Sequence, residues 1–253
     1  MRARLVPVLL GLLVLSSCRL QLDTIVTVHE DGSGTVQVVV GLDADAMERI
    51  GGDLGAELSV ADLTAAGWSV TDPVLDDDGF TRVALTHPTG SPGEATGVLQ
   101  SLSGPAGPLQ QLRVTRHTTF AGDEWSFTGR IDFSGGVEGF GDSALAEELD
   151  GLPVGLTASE IEAELGEPLE EVIQVRVDVR LPGTVESNAL ASGGDRAVWQ
   201  VGFGERSVAM EATGRERRVG TLVAAGAAVA CGLGLVISGA VALVRRGRRR
   251  RAT

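Results

Sequence analysis

Residues 171–181 read EVIQVRVDVRL, and this stretch decides the fold class. Its apolar side chains stand at every second position, namely Ile173, Val175, Val177, Val179 and Leu181. Successive side chains of a β-strand point to opposite faces of the sheet, so the alternation predicts a strand with one apolar and one polar face. The apolar face has to be covered by another layer of the protein, and the rest of the chain must supply that layer.

Similar alternating runs lie on both sides of this stretch. Leu20–Glu30 and Thr35–Leu42 flank Asp31-Gly32-Ser33-Gly34, which predicts a β-hairpin. Further strands are predicted at 68–74, 80–86, 109–120, 124–133, 197–202 and 206–212, and short helices at 44–50, 60–66, 91–102, 144–149 and 158–165. Together they predict an α+β fold with a largely antiparallel sheet of about nine strands and short helices covering one face.

Residues 1–17 have the layout of a bacterial lipoprotein signal peptide. Two arginines precede an apolar run that is too short to span a bilayer comfortably, and Leu15-Ser16-Ser17-Cys18 follows it. This order of an aliphatic residue, two small residues and a cysteine resembles a lipobox, whose cysteine is acylated with diacylglycerol and becomes the first mature residue. The sequence favours lipidation of Cys18, and the alternative is a plain buried or free thiol in an uncleaved anchor.

The carboxy-terminal segment predicts a transmembrane helix at 219–244. This run has 26 residues without a charge, and as a helix it would measure about 39 Å, more than the ~30 Å apolar core of a bilayer. Arginines flank it on both sides, at Arg215, Arg217 and Arg218 before it and at Arg245, Arg246, Arg248, Arg249, Arg250 and Arg251 in the tail 245–253. The larger positive charge after the span places the C-terminus in the cytoplasm. A stop-transfer signal accounts for these arginines, so nucleic-acid binding is not expected.

Residues 18–214 are predicted to form an extracytoplasmic domain between these two attachments to the cell membrane. Residues 19–214 carry 33 acidic side chains and 10 arginines, a net charge of −23. Such a domain does not attract nucleic acid or an anionic bilayer through its general field. Because the first strand closely follows Cys18 and the last strand closely precedes the span, we expect these two strands to run in opposite directions and to lie close together.

No catalytic or metal-binding pattern emerges from the sequence, and we expect neither enzymatic activity nor a cofactor. The chain lacks HExxH, GxSxG and P-loop motifs, and its histidines lie on separate predicted strand ends or loops, at His29, His87 and His117. Asp76-Asp77-Asp78-Gly79 favours a hairpin turn over a calcium loop, because a calcium loop needs further alternating ligands and a closing Glu. The stripe of Trp125, Phe127 and Phe133 favours a packed core over a ligand site.

The order of several short motifs resembles a known family. They are Asp23-Thr24-Ile25-Val26, the DGSG hairpin, Trp68 after a glycine, Gly107-Pro108-Leu109, GRIDF at 129–133, Leu181-Pro182-Gly183 and Val198-Trp199-Gln200. In this order after a lipobox they are similar to the LppM-type lipoproteins of actinobacteria, over about residues 17–244. The resemblance implies an envelope protein with an exported α+β domain, an N-terminal lipid and a C-terminal span, and it points to the handling of lipids or glycolipids. It supplies no catalytic residue.

Two functions are consistent with these features. In the first, the domain binds a membrane lipid or glycolipid at the outer surface of the cell membrane. In the second, the protein is a non-catalytic interaction or assembly protein of the envelope, whose acidic surface binds a basic protein partner.

Replacing Cys18→Ser should abolish fatty-acid labelling and leave the precursor unprocessed, because the thiol is the acylation point. Globomycin, which inhibits lipoprotein signal peptidase, should likewise leave the native precursor unprocessed. Metabolic labelling with a fatty acid and the electrophoretic mobility of the product measure both effects. Unchanged labelling and processing in the Cys18→Ser variant would contradict the lipobox interpretation.

Overall fold

The computed structural model describes residues 19–49, 51–52, 60–103, 107–120, 122–134, 162 and 168–217. The predicted signal peptide, Cys18, Arg218, the predicted span and the arginine tail therefore lie outside the described residues, as do the helix predicted at 144–149 and all of the one predicted at 158–165 except residue 162. Among the residues that are described, no helix is long and apolar enough to cross a membrane.

The described part of the chain is mostly β-strand. The strands are β1 Leu20–Val28, β2 Gly34–Leu42, β3 Ser69–Val70, β4 Val74–Leu75, β5 Thr81–Thr89, β6 Leu109–Thr118, β7 Gly122–Ile131, β8 Ile173–Arg180, β9 Thr184–Ser187, β10 Ala191–Gly193, β11 Arg196–Gly202 and β12 Val208–Arg217. The helices are α1 Ala44–Arg49, α2 Val60–Ala65, α3 Pro92–Ser101 and α4 Leu169–Val172.

The strands form one sheet of eight strands and one of four. The larger sheet has the order β10-β11-β8-β1-β2-β5-β3, and β4 also pairs with β5. The smaller sheet has the order β6-β7-β12-β9. Among the described strand pairs, β1 with β8 is the parallel one, with Leu20 opposite Ile173 and Thr27 opposite Arg180. The predicted hairpin is confirmed, since β1 and β2 pair antiparallel around the turn that contains Gly32.

The core lies where the apolar faces of the two sheets meet. Val175, Val177 and Val179 of β8 are fully buried, as the alternation of the opening stretch predicts. On the smaller sheet, Phe127 packs against Trp199 of the larger one with ring centroids 5.9 Å apart. Buried apolar area supplies most of the stability of such a fold, at roughly 25 cal/mol per Å².

The α+β fold with mostly antiparallel strands is confirmed, but the prediction of one sheet of about nine strands is wrong, because the strands form two sheets. The smaller sheet packs against the apolar face of the larger one, and the described helices contribute further buried residues. Among the described helices, α3 contributes the fully buried Leu99, whereas α2 has no buried residue. The sequence shows which faces are apolar, but it does not show which apolar face packs on which.

The number of strands was also underestimated, and two were missed. β9 and β10 are short and polar, with the sequences TVES and ASG, so they carry no alternation to detect. They exist because β12 and β11 offer them hydrogen-bonding edges. The predicted strand 68–74 is interrupted between β3 and β4, where Pro73 lacks the N–H that a continuous ladder needs.

The expectation that the first and last strands run in opposite directions is wrong. β1 and β12 lie in different sheets and run in the same direction. The start of β12 lies with Phe133 and Phe203, and the backbone N–H of Phe203 donates to the Ile173 carbonyl opposite the start of β1. The last residues of β12 lie at the other end, where Gly183 packs against the Arg215 carbonyl.

The two ends of the sheet pair are therefore distinct, and we call them the Leu20 end and the Arg217 end. The β1–β2 turn belongs to the Arg217 end, since a guanidinium nitrogen of Arg116 lies 3.4 Å from the Asp31 carbonyl oxygen. The described chain starts at the first of these ends and leaves at the second.

Replacing Gly183→Ala should destabilise the protein strongly. Its φ of +83° is unfavourable for any side chain, and an added Cβ would lie 2.1 Å from the Arg215 carbonyl oxygen. We expect a loss of about 2–5 kcal/mol in the free energy of unfolding, from about 1–2 for the backbone and 1–3 for the overlap. Urea unfolding of the full chain in detergent measures it.

Gly194→Ala is the matched control, because Gly194 also has a positive φ, of +64°, but has no atom within 4 Å of the Cβ position. It should cost only about 1–2 kcal/mol. Equal losses in the two variants would contradict the close contact between Gly183 and β12.

Candidate functional site

A cleft of about 640 Å³ opens at the Arg217 end of the sheet pair. It lies where the parallel strands β1 and β8 finish, and it is lined by Thr27, Val28, His29, Glu30, Asp31, Arg180, Leu181, Pro182, Gly183 and Asp195. Its volume is within the range of small-molecule sites. The cleft is open to solvent and its lining is mixed, with charged groups beside the apolar Val28 and Leu181.

One wall of the cleft is the turn of the β1–β2 hairpin. The N–H and the hydroxyl of Ser33 both donate to Asp31 Oδ1, at 2.9 and 2.7 Å. These two hydrogen bonds stabilise the carboxylate and lower the pKa of Asp31 below its usual value. Gly32 follows with a φ of +94°, a conformation that favours glycine. The turn therefore holds an ionised carboxylate at the edge of the cleft.

The opposite wall is Leu181-Pro182-Gly183, directly after β8. The backbone N–H of Leu181 donates to the Asp195 carbonyl at 3.0 Å, which fixes the segment to the β10–β11 turn. Because Gly183 packs on Arg215, this wall is also fixed to the end of β12. The sequence indicates only that Leu181-Pro182-Gly183 is a boundary between two strands, and nothing in it indicates that the motif lines a cleft.

Arg180 is the arginine that lines the cleft, and its neighbours on the polar face of β8 are already paired. Asp178 is buried and forms an ion pair with Arg196, and Arg176 lies 3.8 Å from the same carboxylate. By contrast, Arg180 is exposed and makes no ion pair with any residue that the structure describes. The guanidinium is therefore accessible to a ligand.

The chemistry of the cleft suits a polar, hydroxyl-rich ligand better than an acyl chain. A guanidinium donates to phosphate or sugar oxygens in a planar fork, and carboxylates accept from sugar hydroxyls. Glu30, Asp31 and Asp195 lie around the single arginine, so a ligand with many hydroxyl groups fits this balance better than a bare anion does.

The three histidines do not meet in one site. His29 lines the cleft, and His117 is exposed near the end of β6. His87 packs edge-on against Trp68, with ring centroids 5.3 Å apart, and its Nδ1 lies 2.7 Å from the Pro88 carbonyl oxygen. Over the described residues, no group of three His, Cys, Asp or Glu side chains is arranged to hold a metal ion.

The acidic run Asp76-Asp77-Asp78-Gly79 forms the turn between β4 and β5, as the sequence favours. The Asp76 N–H donates to the Phe80 carbonyl at 2.9 Å, and Gly79 has a φ of +86°. Arg82 binds the carboxylates of Asp76 and Asp78 at 2.6 and 2.7 Å. Two of the three acids are therefore engaged by one arginine of the adjacent strand.

The aromatic stripe forms core, as its pattern favours. Trp125 and Phe127 are fully buried on β7, and Phe133 packs against Phe203 with centroids 5.4 Å apart. The Arg116 guanidinium stacks on the Trp125 ring at 4.5 Å.

Of the arginines predicted to flank the membrane, Arg215 is described in full. It binds Glu124 at 2.9 Å and Glu186 at 3.2 Å, and Glu124 is the main cause of its raised pKa. Arg217 ends β12 opposite Gly122.

A comparison with known protein families shows to which family the chain belongs. The LppM domain family matches residues 21–216. The chain belongs to the LppM domain family. This membership supports a membrane-associated lipoprotein of the cell envelope, as the sequence predicts. The matched region contains all the strands of the two sheets apart from the first residue of β1 and the last of β12.

One solved structure matches this chain. It is the NMR structure of the folded domain of Mycobacterium tuberculosis LppM, with a TM-score of 0.45 and 13% sequence identity, covering 81% of this chain and 94% of that chain. A comparison with curated proteins found no match.

The Asp78–Arg82 pair predicts a pH dependence. Hydrogen bonds from Arg82 lower the pKa of Asp78 from 3.8 to about 2. Since the folded pKa lies below the unfolded one, the pair stabilises the fold above about pH 4, and this contribution is lost as the pH falls towards 2. Arg82→Gln should raise the pKa of Asp78 towards 3.8, as measured by carboxyl NMR titration.

The control for this titration is Arg113→Gln, which removes an exposed arginine from β6 instead. It should leave the pKa of Asp78 at about 2. If Asp78 also kept that pKa in the Arg82→Gln variant, the role of Arg82 would be refuted.

Proposed function

We propose that this protein is a non-catalytic envelope lipoprotein whose outer domain binds the headgroup of a membrane lipid or glycolipid in the cleft between Asp31 and Gly183. The acyl group on Cys18 and the helix 219–244 attach it to the cell membrane, and the domain faces outward. The observation that carries the proposal is the position of the cleft at the Arg217 end, which is next in the chain to the predicted span 219–244.

The distance along the chain supports this placement. Gly183 packs against Arg215, and only three residues lie between Arg215 and Val219, the first residue of the predicted span. The four extended steps from Arg215 to Val219 reach at most about 14 Å. The cleft wall therefore lies within reach of lipid headgroups, while the acyl chains of a bound lipid stay in the bilayer.

The lining supports recognition of a headgroup and not extraction of a whole lipid. An extracted lipid requires an enclosed apolar cavity for its acyl chains, whereas this cleft is open and carries four ionisable side chains besides His29, namely Glu30, Asp31, Arg180 and Asp195. We infer that Arg180 donates to a phosphate or sugar oxygen, and that the surrounding carboxylates accept from hydroxyl groups.

A basic protein partner is the second candidate, because the domain has a net charge of −23 over residues 19–214. Complementary charge speeds the encounter of proteins, and its effect weakens as salt increases. This candidate requires no cleft, so it differs from the first in the chemical nature of what is captured.

Arg180→Gln should lower the fraction of protein that carries a lipid. The experiment expresses the full chain in an actinobacterial membrane, purifies it in mild detergent and measures adduct masses by native mass spectrometry. We expect a lipid or glycolipid adduct on the native chain and an occupancy at least several-fold lower in the variant, since a charge-assisted hydrogen bond is worth about 1.5–3 kcal/mol.

The matched control is Arg206→Gln, because Arg206 is also exposed but precedes β12 at the Leu20 end. Its adduct should match that of the native chain. A native chain free of lipid adducts would count against the proposal, and a protein adduct in their place would favour the basic partner.

A further inference from the structure

We propose that the domain lies lengthwise along the bilayer, with both the Leu20 end and the Arg217 end at the surface and with Phe120 inserted into the interface. This inference rests on the two membrane attachments of the proposed function, but it does not depend on the cleft. It follows from how rigidly and how far apart the structure fixes the two points of attachment.

At the Leu20 end, the chain is fixed up to the residue next to Cys18. The N–H of Arg19 donates to Asp43 Oδ2 at 2.8 Å, and the Arg19 carbonyl accepts from the Asp43 N–H at 3.2 Å. Leu20 then pairs with Leu42 on one side and with Ile173 on the other. A lipid on Cys18 therefore has one residue of free chain, about 3.6 Å, between itself and the sheet.

At the Arg217 end, the chain is fixed almost to the first residue of the predicted span. β12 is paired with β7 through Arg217, which lies opposite Gly122. The Arg215 side chain binds acids of both neighbouring strands, Glu124 and Glu186. Only Arg218 lies between this strand end and Val219, where the predicted span begins, so the free chain from Arg217 to Val219 measures at most about 7 Å.

The two fixed points lie at opposite ends of parallel-running strands. β1 has nine residues and β12 has ten, and a strand rises about 3.3 Å per residue, so the ends are about 30 Å apart along the strands. If the domain stood upright on one end, the other attachment would lie roughly 30 Å above the bilayer, with at most about 7 Å of chain to reach it. Lying lengthwise satisfies both attachments without breaking a strand pair.

Phe120 is placed to contact the bilayer in this orientation. It lies in the turn between β6 and β7, where the Thr119 N–H and hydroxyl bond to the Gly122 carbonyl at 2.8 and 2.9 Å. Gly122 pairs with Arg217, so the turn is level with the point where the chain leaves for the membrane. The side chain is 66% exposed, which is unfavourable in water, and aromatic side chains are well suited to the membrane interface.

Covalent attachment, and not charge attraction, holds the domain in this orientation. The acidic domain is repelled by anionic headgroups, and the repulsion is screened within about 8 Å at physiological salt. The exposed apolar Phe120 opposes this repulsion locally through its insertion into the interface.

The test compares the heights of two labels above the bilayer in the full lipidated chain, with Cys231→Ala as background. The label sites are Ala44→Cys, beside Asp43 at the Leu20 end, and His117→Cys, near the Phe120 turn; both side chains are exposed. The protein is placed in vesicles of neutral phosphatidylcholine that carry an energy-transfer acceptor on the headgroup.

We expect the two labels to differ in height by less than about 10 Å, whereas an upright domain requires a difference of about 25–30 Å. The larger difference in correctly lipidated protein would overturn the orientation and leave the membrane attachments standing. Loss of fatty-acid labelling only in Cys18→Ser confirms the lipid attachment separately, and Arg180→Gln should not change either height.

The control chain carries twenty Gly/Ser residues between Arg218 and Val219. Such a linker spans about 25 Å on average, so the His117→Cys label should rise from the surface while the Ala44→Cys label stays low. This result shows that the two labels lie at similar heights in the native chain because its connection to the span is short.

The contact of Phe120 is tested by Phe120→Ser against Leu190→Ser. Leu190 is even more exposed, at 93%, but it lies between β9 and β10, away from both attachments. Phe120→Ser should raise quenching of the His117→Cys label by aqueous iodide at least two-fold, and Leu190→Ser should not. Equal quenching in the two variants would overturn the insertion of Phe120.

Discussion

The parallel pairing of β1 with β8 is the constraint on which the rest of the structure depends. It joins the first strand of the domain to one that begins about 150 residues later, so strands from the two halves of the chain share one sheet. The pair places Val26 beside Val179 in the core and Thr27 beside Arg180 at the cleft. Because both strands finish at the same end, the loops that follow them meet there and form the two walls of the cleft.

This pairing also bears on the two predicted membrane attachments. β12 lies within the smaller sheet and runs in the same direction as β1, and its last residues pack against Gly183, in the segment that follows β8. The two predicted attachments are therefore next to opposite ends of the sheet pair. The cleft, the exposed Phe120 and the last residues of β12 share one end, so a single geometry places a polar site and an apolar contact at the same level.

Much of the local structure could be predicted because it depends on residues that are neighbours in the sequence. The β1–β2 hairpin, α1, α2 and the strand of the opening stretch were all found from alternation, turn residues and caps. The helix α3 is confirmed with Ser91 as its N-cap, whose hydroxyl accepts from the Glu94 N–H at 3.2 Å. By contrast, β9 and β10 were missed, since their strand conformation comes from partners distant in sequence. Arg180 was recognised as a polar-face residue, but its accessibility depends on Asp178 being engaged by Arg196, which no local pattern reveals.

By itself, the sequence determined the faces of the strands, the family, the predicted points of membrane attachment and the acidity of residues 19–214. These properties depend on residue types and on short spacings between them, and both can be taken directly from the sequence. Only the tertiary structure decided that a second sheet covers the first, that the first and last strands run the same way, and that residues 27–31, 180–183 and 195 share a cleft. The reason is that strand pairing and the packing of apolar faces are chosen among many near-equivalent partners, and the choice is made by the whole chain at once.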